Sequence, residues 1–205
     1  MSSVPKGRRK ESPFQARHNY YNLRDEITKL MINDFGFDQE KYNSRIEKYR
    51  AAHSKADNTD KIVERWKRKS DAFNKWFIDK ECDAVLDILR KIESEFTYGN
   101  SIFPSETPAK MCEYLERRKH ITAAISYCYV LKQELLYIIR TLPVDLNKYY
   151  HYEKAIDAQI SLYKGVRQSD NRFLKNKKKS IDISDEITGM SETVIALFNK
   201  IRGNL

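Results

Sequence analysis

Glycine and proline are scarce, six and five residues in a chain of 205. So few breakers exclude folds made of short strands and tight turns, and leave long helices as the natural product. No stretch approaches the roughly 20 apolar residues that a membrane span needs, so no membrane partner is expected. Cysteine is limited to Cys82, Cys112 and Cys128. They are odd in number, far apart and without a Cys-x-x-Cys pair, which excludes a disulfide framework and predicts reduced, mostly buried thiols. The basic N-terminus lacks the apolar run of a signal peptide, and the expected compartment is the cytoplasm. The four histidines, His18, His53, His120 and His151, are scattered. No His-Glu-x-x-His, P-loop or glycine-rich dinucleotide fingerprint occurs. Glu116 and His120 come nearest to the Glu-x-x-His pattern of a di-iron bundle, but they stand four apart with no second copy. A surface pair of helix neighbours accounts for them. No metal, no cofactor and no catalytic residue is expected, and the chain reads as a binding protein, not an enzyme.

What is abundant is charge. Charged residues make up 33% of the chain, with a net charge of +9. Residues 1–20 carry five bases against one acid, and residues 164–179 carry seven against one. These two segments hold the whole excess, so the remainder of the chain is nearly neutral. Such clustering fits a polyanion partner, phosphate above all; the alternative is a pair of solubilising tails.

Hydrophobic spacing predicts the helices. Ser12-Pro13 is a cap followed by proline at the first helical position. Tyr20, Leu23, Ile27, Leu30 and Met31 follow on one face, until Phe35-Gly36-Phe37 stops the helix. Asp38 can cap a shorter, inserted helix with Tyr42, Ile46 and Tyr49 inward, and residues 53–59 read as its exit. A long helix is expected from about Asp60 to Phe96, with Ile62, Trp66, Phe73, Trp76, Phe77, Cys82, Val85, Leu89, Ile92 and Phe96 as its stripe. The polar gap from Lys67 to Ala72 marks a bend or a change of packing partner. Gly99 to Pro104 is the next break, and Thr107-Pro108 repeats the cap-plus-proline start. Met111, Leu115, Arg118, Ile125, Cys128, Leu131, Leu135, Ile138 and Leu142 would line the fourth helix. A fifth, from about Leu146 to Gln168, would bury Tyr149, Tyr152, Ile156, Ile160, Tyr163 and Val166.

The expected fold is all-α: an antiparallel four-helix bundle with an inserted helix after helix 1 and a short C-terminal amphipathic helix. In domain terms this gives a basic arm at 1–12 and a bundle at 13–170, with the insertion at about 38–55. A Lys-rich linker at 171–183 and a terminal helix at 184–205 complete it. Ile187, Met190, Val194, Leu197 and Ile201 share one face of that last helix, which would dock on the bundle or bind a partner.

The run Arg117-Arg118-Lys119-His120 places four basic or titratable groups in succession, about 100° apart, so they cannot share a face. Arg118 falls on the expected apolar stripe and would need a carboxylate, a carbonyl or a subunit interface there. Arg117 and Lys119 read as solvated surface or phosphate contacts. In Tyr20-Tyr21 and Tyr149-Tyr150 one ring of each pair must lie outside the core, where it suits base stacking or a protein interface.

Several stretches resemble a known family. Val4-Pro5-Lys6-Gly7-Arg8-Arg9-Lys10-Glu11-Ser12 is similar to the start of bacterial four-helix proteins encoded beside reverse transcriptases. Gly99-Asn100-Ser101-Ile102-Phe103-Pro104 followed by Glu116-Arg117-Arg118 resembles their turn and Arg-Arg helix. Tyr152 to Phe173, with Ile156, Ile160, Gly165-Val166, Ser169-Asp170 and Arg172, resembles their last helix and its exit. The family is the accessory variability determinant (Avd-like) group of diversity-generating retroelements, related to the four-helix proteins of ribosomal intervening sequences. The resemblance covers residues 4–35 and 96–173. Residues 36–75 and 174–205 are additions that compact members lack. It implies a basic homo-oligomer, a pentamer, which binds the retroelement's reverse transcriptase and its template RNA or RNA–DNA and supports mutagenic cDNA synthesis. It also implies that Arg117, Arg118, Arg167 and Arg172 match the family's basic positions. With Lys6, Arg8, Arg9 and Lys164 these are the candidate RNA- or polymerase-binding residues. The alternative is a helical scaffold or regulator that binds only protein partners.

Overall fold

The computed structural model describes residues 13–103 and 110–177, with the backbone course alone at 110, 111 and 171–177. Five α-helices run through them: α1 Pro13–Ile32, α2 Gln39–Ala52, α3 Thr59–Ser101, α4 Lys110–Thr141 and α5 Leu146–Lys177. No strand occurs among the described residues, and none of their helices is long and apolar enough to cross a membrane. The chain divides into two compact units, Met1–Arg167 and Gln168–Leu205. The first holds the fold described here; of the second, the described part is the last stretch of α5.

The all-α bundle expectation is borne out. Asn19 of α1 donates to Gln159 of α5 at 2.8 Å, and Glu26 meets His151 seven residues further along α1. Phe77 meets Tyr137 and Glu95 meets His120 between α3 and α4. Thr122 meets Arg167, and Lys132 meets Asp157, between α4 and α5. In each pair one number rises as the other falls, so all three pairs are antiparallel. It follows that α1 and α3 are antiparallel as well, joined through Tyr20, whose hydroxyl donates to the Leu89 carbonyl, and through the Arg24–Glu93 ion pair. Tyr20, Leu23, Ile27, Leu30 and Met31 are buried, as their spacing predicts. Full burial of a side chain such as Ile27 or Leu89 stabilises the bundle by about 1.5–3 kcal/mol.

The stop after α1 is tighter than glycine alone requires. Asp34, Phe35 and Gly36 all take positive φ, at 50°, 57° and 70°. Phe35 is bulky for the left-handed region, and its ring is fully buried. Asp38 then caps α2 by accepting from the Lys41 amide at 3.0 Å. The Asp38 amide donates to the Pro143 carbonyl at 2.8 Å, and Lys41 donates to the Val144 carbonyl at 3.0 Å. The insertion is thereby fastened to the α4–α5 turn. Tyr42 and Ile46 close with Val63 into a second small core, flanked by Phe37, Tyr49 and Trp66. The first half of α3 belongs to this α2–α3 hairpin and the second half to the bundle. Of the two readings left open for the polar gap, a change of packing partner is the one observed.

Several expectations are corrected. α3 spans 43 residues, so Gly99 is helical and the break falls at Ile102. Gly99 stays in the helix because α4 passes close by: a Cβ there would stand 3.1 Å from the Arg117 carbonyl oxygen. Phe73 and Trp76 are exposed, Val63 is buried where Ile62 was expected, and Asn74 and Glu81 are buried between the apolar positions. In the first turns of α4 the buried face carries Tyr114 and Arg117, not Leu115 and Arg118. Cys128 is buried and Cys82 half-buried, but Cys112 is exposed. α5 continues to Lys177, seven residues into the segment read as a linker. That segment lacks glycine and proline and is rich in Lys and Arg, good helix formers. The Thr107-Pro108 start, the arm at 1–12, the rest of the linker and the terminal helix lie outside the described residues.

Candidate polyanion-binding face

Arg118, Thr122 and Tyr129 lie within about 60° of one another on α4, since four- and seven-residue steps nearly restore the helical angle. Two cations of α5 close onto this strip. Arg167 donates to Thr122 Oγ1 at 3.2 Å. Lys164 donates to the Tyr129 hydroxyl at 2.9 Å, with its ammonium 5.5 Å from that ring's centroid. Tyr129 and Arg118 are exposed, and Lys164 and Arg167 half-buried. The strip ends where Lys132 is neutralised by Glu153 at 3.2 Å and Asp157 at 2.9 Å. Of the eight candidates, the structure thus brings Arg118, Lys164 and Arg167 onto one face. Lys6, Arg8 and Arg9 lie outside the described residues, and Arg172 lies on α5 with its side chain outside them.

Arg117 is corrected. It is 7% exposed and turned inward. Its guanidinium donates to the carbonyls of Gly99 and Ile102 at 3.1 and 3.2 Å, satisfying acceptors that the end of α3 leaves open. A buried guanidinium occupied in this way is not offered to a phosphate. The carbonyl partner anticipated for an arginine on the inner stripe is present, one residue earlier than expected.

Beyond the acidic junction the same pair of helices turns apolar. Leu136, Leu146 and Tyr150 rim a cleft of about 260 Å³, with Ile139 and Ile156 deeper inside. Val130 and Tyr137 are also exposed on α4 but lie about 100° round the helix from Leu136, where Tyr137 meets Phe77 of α3. Lys154 sits over the Tyr150 ring, 4.3 Å from its centroid. The Tyr149-Tyr150 pair divides as its sequence requires, Tyr149 inward and Tyr150 outward. Tyr20 and Tyr21 divide in the same way.

The titratable groups are held in structural roles. His120 is more than a helix neighbour of Glu116. Its Nδ1 lies 2.6 Å from Glu95 on α3, its Nε2 lies 2.9 Å from Glu116, and the Tyr98 ring covers it. The hydrogen bonds to Glu95 and then Glu116 hold its pKa above the ordinary value. Burial pushes the Cys128 thiol up to about 12, away from the thiolate a nucleophile needs. Glu81 is buried against Glu134 and raised to about 7, by burial first and then by that second carboxyl. Among the described residues no three His, Cys, Asp or Glu side chains converge as a metal site would require.

One cationic surface escaped the sequence reading altogether. Lys61, Arg65, Arg68 and Lys69 are exposed on the outer face of α3. Residues 60–76 hold six bases against three acids, a local excess inside a stretch of chain that is nearly neutral as a whole. A helical projection of residues 60–76 was the signal that would have found them.

No family model, curated protein or solved structure matches this chain.

Proposed function

We propose that the chain is a non-catalytic accessory subunit of a diversity-generating retroelement, binding the reverse transcriptase and its template RNA, or RNA–DNA, during mutagenic cDNA synthesis. The observation that carries this reading is the two-part α4–α5 surface. A cationic strip with an exposed tyrosine suits a phosphate backbone and an unpaired base. The apolar cleft beyond it suits a protein, either the polymerase or a second copy of the chain. The partners come from the resemblance of residues 4–35 and 96–173 to the Avd-like group, as does the homo-oligomer, a pentamer in that family. The setting of this reading is the cytoplasm.

The test is a tagged pull-down at near-physiological salt, identifying bound proteins and bound RNA. A reverse transcriptase with one enriched structured transcript supports the reading. Replacing Arg118, Lys164 and Arg167 by Glu should sharply reduce RNA capture while the bundle stays folded; undiminished capture refutes the face. The apolar cleft favours a second reading, a scaffold that binds protein partners alone. In that case Leu136→Glu with Tyr150→Glu removes every partner, and the charge reversals remove none.

A further inference from the structure

The first half of α3 is divided by charge. Its acids are turned toward α2 or engaged there: Asp60 pairs with Arg50, Asp71 accepts from the Tyr42 hydroxyl at 2.5 Å, and Glu64 lines the cleft facing α2 with Arg50. The opposite face carries Lys61, Arg65, Arg68 and Lys69, spaced by three and four residues and all exposed. None of these four has an ion-pair or hydrogen-bond partner among the described residues, and like charges one turn apart repel. The same face continues to Trp76, which is 55% exposed. Phe73 packs against Trp76 at 5.9 Å and stacks on the buried Phe77 at 5.6 Å, so the indole is braced from the core. From Lys61 to Trp76 the face extends about 22 Å along the helix. Asp79 and Asp83, the next exposed acids, close it.

We propose that this outer face of α3 is a second binding site, for single-stranded nucleic acid. Lys61, Arg65, Arg68 and Lys69 engage successive phosphates, and Trp76 stacks on an unpaired base. The site is distinct from the α4–α5 strip, and the inference does not depend on which partner that strip takes. Charge complementarity selects the occupant: four unneutralised cations in line call for a polyanion, and an aromatic platform at their end calls for bases. A membrane surface fits less well. An interfacial helix needs an apolar face opposite its bases, whereas here Val63 and Trp66 are committed to the α2 contact.

The experiment uses the full chain and a fluorescein-labelled oligo(U) 20-mer, read by anisotropy across a salt series and by tryptophan quenching. The variants are Arg65→Ala/Arg68→Ala/Lys69→Ala, Trp76→Ala, and Lys164→Glu/Arg167→Glu as a control for the other face. The α3 side chains replaced are exposed and Lys164 and Arg167 half-buried, and circular dichroism checks that each variant stays folded. The triple variant should lower the log–log salt slope by about two, at about 0.7 per lost contact. Trp76→Ala should weaken binding roughly tenfold and remove most of the quenching. Unchanged slope and quenching in these variants, with binding lost only in the α4–α5 variant, overturns this site and leaves the proposed function standing. Capture by phosphatidylserine vesicles with no binding to oligo(U) overturns the nucleic-acid assignment.

Discussion

Arg117 and Gly99 are joined across the end of the bundle, the guanidinium donating to the glycine carbonyl at 3.1 Å over a separation of 18 residues. The contact converts an arginine that resembles a ligand-binding position into a cap for α3. A charge-assisted hydrogen bond contributes about 1.5–3 kcal/mol, and a buried acceptor left without a donor is costly. Arg117→Ala is therefore expected to destabilise the fold by about 3 kcal/mol. Arg118→Ala, on the exposed face, should stay within about 0.5 kcal/mol. Urea denaturation of the two variants checks this; equal midpoints would remove Arg117 from its structural role.

Gly99 itself gives a second prediction. Alanine in a helix interior ordinarily gains about 0.5–1 kcal/mol over glycine. Here the added Cβ would meet the Arg117 carbonyl oxygen and the His120 Cβ at 3.1 Å, both rigid parts of α4. Gly99→Ala is expected to lose stability in spite of its propensity. Gly99→Val should lose about 1–3 kcal/mol through overpacking. Thermal melts decide the sign, and a more stable alanine variant would mean that α4 moves aside freely.

The helices, the Asp38 cap and most of the bundle core were legible in the sequence because a 3.6-residue stripe survives wherever one helix keeps one partner. It failed where the partner changes. α3 packs on α2 through Val63 and on the bundle from Phe77 onward. Treating every large apolar residue as inward therefore misplaced Phe73 and Trp76 and overlooked Asn74 and Glu81. In α4 a stripe drawn through Met111 and Leu115 was one residue, or about 100°, out of phase. Arg118 thus stood in the place of Arg117. The charge clusters near the termini were visible as composition. The cationic face of α3 was not, because Asp60, Glu64 and Asp71 offset half of the six bases between residues 60 and 76 and only the fold separates the signs.

Tyr149 holds the left-handed segment after α1. Its hydroxyl donates to the Phe35 carbonyl at 2.7 Å in a buried setting, and Phe35 has φ of 57°. Tyr149→Phe keeps the ring and removes the donor, leaving a buried carbonyl unsatisfied at a cost of about 1–3 kcal/mol. Tyr150→Phe, one residue on and exposed, should be neutral. Denaturation midpoints of this matched pair separate the hydrogen bond from the ring packing.

The buried carboxyl of Glu81 makes stability depend on pH in a direction opposite to that of a salt-bridged acid. Burial and the Glu134 carboxyl raise it from 4.5 to about 7, and its Oε2 meets no donor. The folded state therefore binds more protons than the unfolded chain. Its contribution is fully present below pH 4.5 and is lost as pH rises through about 7. His120, raised above 6.5 by Glu95 and Glu116, acts in the same direction at higher pH: present below 6.5, lost as pH passes its folded value. Glu116, lowered by His120, acts below pH 4.5 and leaves both windows untouched. Urea denaturation from pH 4.5 to 9 should show wild-type stability falling across the range. Glu81→Gln should flatten the lower part and be the more stable protein at pH 8, while His120→Gln should flatten only the upper part. A Glu81→Gln variant that keeps the full lower slope would show that this carboxyl ionises as freely in the bundle as in the unfolded chain.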